Sequence, residues 1–174
     1  MPGLTRVRAR TDTGKRATAG RLGFVEAETG GRALTYLSEE DRFAREVHGS
    51  WWRMGDMGYQ TWLGCIHVLD RHVDQIPTIS SNLQIEDTLL DRLPELIEVV
   101  IIPDAEHRPV PVVCTHGNRP LNDRRWVSAT VDLPPLAPPI QRDWSTLPRT
   151  STWKIKRLEL TRQLHKEQTG PSNG

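Results

Sequence analysis

The chain has little cysteine, no long apolar run, almost no net charge and few aromatic rings apart from six tryptophans. Each shortage excludes a class of protein. Two cysteines in 174 residues are too few for a disulfide scaffold. Cys65 and Cys114 each stand in an apolar run, which predicts buried, reduced thiols of a cytoplasmic protein rather than a disulfide or redox pair. No apolar stretch approaches the ~20 residues of a membrane span, and the Arg-rich beginning has no apolar segment behind it, so neither a membrane anchor nor a secretory signal is expected. Lysine and arginine number 23 against 22 acidic residues, and a balance of +1 provides no field for nucleic acid or an anionic membrane. The six histidines, at 48, 67, 72, 107, 116 and 165, lack zinc-site spacing, so no metal site is expected. A phosphate-cradling loop is missing too. Gly30-Gly31 lacks a following lysine and helix, and Gly14-Lys15 is only a dipeptide.

What is present suits one folded domain, or one domain and part of another. With 36% hydrophobic and 26% charged residues, 13 Pro and 13 Gly, it should be loop-rich but able to bury a core. Thr5–Thr11 alternates Val7 and Ala9 with arginines, and Arg21–Thr29 is a second strand candidate. Ser38-Glu39-Glu40-Asp41 predicts a capped helix start with Phe43 and Val47 on its buried face. Ser80-Ser81-Asn82 caps a predicted helix with Ile85, Leu89 and Leu93 inward, and Pro94 stops it. Ile97–Ile102 reads as a strand buried on both faces, paired with Val110–Thr115. Asn122–Val131 predicts a helix, Leu133–Pro139 a stiff extended link, and Ile155–His165 a basic helix with Ile155, Leu158 and Leu164 inward.

The stretch Trp51-Trp52-Arg53-Met54-Gly55-Asp56-Met57-Gly58-Tyr59 reads as a turn that presents a carboxylate. Asp56 follows a glycine between aromatics, and its two oxygens suit a vicinal diol such as that of a ribose. Gly-Asp is equally ordinary turn chemistry. Leu63–Leu69 reads as a strand that hands the chain to Asp70-Arg71.

In order, these pieces resemble the C-terminal part of the adenylate-forming superfamily: acyl-CoA synthetases, aryl-CoA ligases and peptide-synthetase adenylation domains. Trp52–Asp56 resembles the family's Trp/Tyr-Arg-Thr-Gly-Asp motif, and Gly64–Arg71 its Gly-Tyr-Leu-x-Ile-x-(Gly/Asp)-Arg hairpin. Ile85-Glu86-Asp87 with Leu89-Leu90 resembles the Ile-Glu-x-x-Leu helix. Leu147-Pro148-Arg149-Thr150 through Lys154-Ile155 resembles Leu-Pro-(Arg/Lys)-Thr-x-(Ser/Thr)-Gly-Lys-Ile.

The resemblance implies that Asp56 grips the ribose of ATP or AMP, that Arg71 lies against the nucleotide, and that Lys154 contacts the carboxylate during adenylation. It implies a carboxylic acid substrate, Mg2+ supplied with a partner domain, and coenzyme A or a carrier protein as thiol acceptor. Asp70, Glu86 and Asp87 read as turn and helix-surface residues. Met54 stands for the usual threonine, Val73 for the hinge Asp or Lys, and Trp153 for the glycine before the lysine, where it crowds the turn and hinders positive φ.

The family's phosphate loop has no counterpart here, which leaves three readings: a subunit completed by a separate N-terminal adenylation subunit, a catalytically silent binding or scaffolding module, or a truncated fragment. Under the first, apolar surface exposed along Val7–Val25 would receive the partner. The expected architecture is α+β. A small, mainly β subdomain (1–69) precedes a compact lid (70–166) of a short sheet with flanking helices, and a disordered tail (167–174) follows.

Overall fold

The computed structural model describes residues 5–31, 35 and 37–169. The chain divides into two compact units, Met1–Val73 and Asp74–Gly174. Among the described residues, four α-helices and two sheets make an α+β fold.

The first unit contains β1 (Arg6–Arg10), β2 (Gly23–Glu28), α1 (Glu40–Glu46), β3 (Val47–His48), β4 (Trp51–Gln60) and β5 (Ile66–Arg71). They form an antiparallel sheet in the order β1-β2-β4-β3, with β5 on the second half of β4. Ala9, Phe24, Val25, Ala27 and Met57 make its small core. Glu26 lies fully buried among them, accepting hydrogen bonds from Arg8 Nε (3.0 Å), Arg8 Nη2 (2.8 Å) and Arg10 Nη1 (3.3 Å), because a buried carboxylate requires partners of opposite charge. Arg8 in turn covers the ring of Trp51 at 3.9 Å.

Four expectations for this unit change. Trp51–Tyr59 is not a turn but part of one long strand, since its residues find partners in β2, β3 and β5. The strand expected from Leu63 begins at Ile66: residues 61–65 make the hairpin turn, with Gly64 at φ 91° and Cys65 exposed rather than buried. Ser38 has φ 60° instead of capping α1, whose N-cap is Glu39, and α1 buries no residue; Phe43 is half-buried and Val47 already belongs to β3. Within Val7–Val25, Val7 and Leu22 are exposed but Ala9, Ala17, Phe24 and Val25 are buried; Leu37, Trp62, Leu63, Val68 and Val73 are the more exposed apolar side chains of the unit.

The second unit contains α2 (Asn82–Arg92), β6 (Leu96–Pro103), β7 (Pro109–Thr115), α3 (Asp123–Thr130), β8 (Ile140–Gln141) and α4 (Arg157–Thr169). Its sheet runs β6-β7-β8, antiparallel then parallel. Side chains alternate across a strand, so β6 sends Val99 and Ile101 into a core with Ile85, Leu89 and Leu93 of the α2 segment and Trp126 of α3. Val100 and Ile102 enter a second core with Val112, Cys114, Leu147 and, from α4, Leu160 and Leu164. The caps follow chemistry. Ser81 Oγ accepts from Gln84 N at 3.1 Å, and Asn122 Oδ1 from Arg125 N at 3.1 Å.

The basic helix starts two residues later than expected, at Arg157. Its inward residues are therefore Leu160 and Leu164, and Leu158 is 59% exposed. The helix continues to Thr169, past the expected start of a disordered tail at 167; residues 170–174 lie outside the described residues.

Candidate functional site

Asp56 is presented by a β-bulge. Where β2 passes from Phe24 to Glu26, the antiparallel β4 passes from Met57 back to Arg53, and the extra residues include Gly55 at φ 84°. Such a bulge re-aims a side chain that a regular ladder would commit to one face. A second irregularity, opposite Met57-Gly58, lies in β5 and brings Asp56 into register with Arg71. Arg71 Nε stands 3.7 Å from Asp56 Oδ1, an electrostatic contact longer than a hydrogen bond, with the two side chains 67% and 28% exposed. Gly58, two residues on, has no room for a side chain: a β-carbon there would meet the carbonyl oxygen of His67 at 2.2 Å. Asp70, read as a turn residue, is a buried residue of β5.

Lys154 belongs to the second unit, at the end of a tight turn before α4. Arg149 and Ile155 form a β-bridge; between them Thr150 N donates to Lys154 O (2.8 Å), Trp153 N to Thr150 O (3.0 Å), and Lys154 N to Thr150 Oγ1 (3.1 Å). Trp153 adopts φ 65°, so replacement of glycine does not abolish the left-handed turn conformation. Its ring stacks on Trp144 at 5.7 Å. The structure thus brings Asp56 and Arg71 together on one hairpin and holds Lys154 on a separate turn of the other unit.

The turn that carries Lys154 leads into α4 through Arg157, which a surface reading of Glu86 misses. Glu86 of α2 is buried; its carboxylate accepts from Ile101 N (2.7 Å) and from Arg157 Nη2 (2.7 Å) and Nη1, and Arg157 Nη1 also donates to Ile101 O (3.1 Å). This ion pair ties α2, β6 and the start of α4 together. The only sequence signal was an acidic residue beside inward Ile85, with a cation three residues past Lys154.

Among the described residues, no group of His, Cys, Asp and Glu is arranged to hold a metal ion, and no helix is long and apolar enough to cross a membrane. No family model matches the chain. Two characterised relatives do. The 3-amino-2-hydroxy-4-methoxybenzoate diazotase of Streptomyces cremeus is 48% identical over 93% of this chain, and a medium/long-chain-fatty-acid–CoA ligase of Mycobacterium marinum is 30% identical over 86%. The chain spans 29% and 32% of their lengths, about a third.

Solved structures share the fold. The o-succinylbenzoate coenzyme A synthetase of Bacillus subtilis in complex with AMP superimposes with a TM-score of 0.78 at 21% identity, over 90% of this chain and 33% of the other. The anthranilate CoA ligase AuaEII in complex with anthranoyl-AMP gives 0.79 at 23% identity, over 94% and 33%. The motifs around Asp56, Arg71, Glu86 and Lys154, the α+β fold and these relatives agree: the chain belongs to the adenylate-forming superfamily of AMP-binding ligases.

Proposed function

We propose that this chain is the C-terminal, lid-bearing part of an ATP-dependent ligase that activates a carboxylic acid as its acyl adenylate, completed by a separate N-terminal subunit that binds the triphosphate and its Mg2+. The observation that carries the reading is the Asp56–Arg71 pair on its bulge. A carboxylate offers about four lone-pair positions. A neighbouring guanidinium at 3.7 Å stands beyond hydrogen-bond distance and does not fill them, which fits a ribose diol. Arg71 itself, exposed beside that carboxylate, supplies positive charge suited to a nucleotide.

Lys154 is assigned the third role. Adenylation joins two anions, a carboxylate and an α-phosphate, and a cation at the meeting point offsets their repulsion and orients the attack. The acyl group then passes to coenzyme A or a carrier thiol. In the completed enzyme, Lys154→Ala slows adenylate formation by roughly two orders of magnitude with an unchanged melting temperature, as expected for loss of a transition-state charge contact. Pyrophosphate exchange at the original rate would remove Lys154 from the mechanism.

The 48% identity with a diazotase favours a second reading, in which the activated oxyanion serves diazotisation of an amino-hydroxybenzoate. Diazotising an arylamine requires nitrogen at the oxidation level of nitrite, and nitrite shares the bent O–X–O geometry of a carboxylate. Pyrophosphate exchange that depends on nitrite rather than on a carboxylic acid selects this reading.

A further inference from the structure

A lysine on a flexible four-carbon stem reaches a defined point only if its backbone is held still. The Lys154 turn carries a liability in this respect, because Trp153 occupies left-handed φ space that a β-carbon disfavours. Two other turns of the chain have the same backbone hydrogen bonds with glycine at that position: Thr11–Lys15 with Gly14, and Thr61–Cys65 with Gly64. In all three, the residue before the threonine donates its side chain to the carbonyl of the left-handed residue. Arg10 Nε reaches Gly14 O at 2.6 Å, Gln60 Nε2 reaches Gly64 O at 3.0 Å, and Arg149 Nη1 reaches Trp153 O at 2.9 Å.

At the lysine turn the donor is anchored further. Arg149 Nη2 donates to Glu98 Oε2 on β6 at 2.8 Å, and the guanidinium lies 4.4 Å from the centre of the Trp144 ring, the same ring on which Trp153 stacks. The Arg149 side chain is only 13% exposed. The carbonyl it grips belongs to the peptide that joins Trp153 to Lys154. We infer that Arg149 is the positioning residue of Lys154: with Glu98 and Trp144 it fixes the Trp153–Lys154 peptide to the sheet, so the lysine is aimed despite the strained residue before it. This rests on the adenylating role assigned to Lys154, and Arg149 acts only through it.

Arg149→Met keeps an unbranched apolar stem and removes every donor. In the 174-residue chain, amide exchange at Trp153 and Lys154 should then accelerate about tenfold while β6 and α4 keep their protection. In the completed enzyme, Arg149→Met should slow adenylate formation by about tenfold to a hundredfold when Lys154 is present, and by less than about twofold when Lys154 is already alanine. Arg149→Lys, which keeps the charge and fewer donors, is the second variant should the first fail to fold; its smaller loss is again confined to the Lys154 background. Equal losses in both backgrounds, or unaltered exchange at the turn, overturn the inference. A rate that Lys154→Ala leaves untouched overturns instead the role of Lys154, and shows that failure as distinct.

Discussion

Asp56 owes its exposure to the bulge at Gly55: in an unbroken ladder the same residue would be committed to one face of β4. Under the proposed function its contact with the nucleotide is direct, and its removal should be felt in binding. In the completed enzyme, Asp56→Ala is expected to weaken AMP binding by about 1.5–3 kcal/mol, the range for hydrogen bonds to charged groups, and an unchanged affinity in calorimetry would refute the ribose contact. Cys114 makes a different prediction. Burial, helped by the charge of Glu98, pushes its thiol up from 9.0 to about 11. A folded-state value above the unfolded one stabilises the protein fully below pH 9, and that contribution is lost as pH rises toward about 11. Urea midpoints should therefore fall more steeply between these pH values for the natural protein than for Cys114→Ala; parallel curves would mean that the thiol ionises without resistance.

At the scale of elements, α2, β6 and α4 are joined by one ion pair that links residues far apart in the chain, Glu86 and Arg157. Both side chains are largely withdrawn from water, so removing Glu86 takes from Arg157 its hydrogen-bonded carboxylate and leaves the longer contact with Asp74 at 3.8 Å. Glu86→Ala should cost about 3–5 kcal/mol in chemical denaturation, and replacing both residues by methionine should recover most of it. A loss below ~1 kcal/mol would show the pair to be solvated. The helix of Glu86 was legible, since Ser81 and the Ile85-Leu89-Leu93 spacing specify it locally. The role of Glu86 was not, because its partners come from β6 and α4, distant in sequence. The same reasoning explains α4: its amphipathic stripe is weak, and only packing against Val100, Ile102 and Val112 selects Leu160 and Leu164 over Leu158.

For the whole molecule, the chain forms two compact units and spans about a third of the relatives' lengths, and the proposed function leaves the triphosphate to a separate subunit. No glycine-rich loop able to cradle a triphosphate occurs in the sequence. The purified chain should accordingly show no ATP–pyrophosphate exchange by itself. Co-expression with an adenylating protein from its own gene neighbourhood should bring a stable complex and exchange activity, read by size exclusion and the exchange assay. A folded monomer that joins and activates none of them favours the silent module.

The sequence by itself determined the α+β class, the order of the motifs, the signals that start and stop α2 and the place of α3, because capping, hydrophobic spacing and β-branched runs act over a few residues. It also carried the candidate site residues Asp56, Arg71 and Lys154 as a resemblance. Only the tertiary structure decided that Gly55-Asp56 is a bulge in a paired strand rather than a turn, that Glu86 is buried against Arg157, and that Trp153 can hold φ 65° under the grip of Arg149. Each of these depends on partners supplied by a different element, and no local pattern of residue types encodes where such a partner will stand.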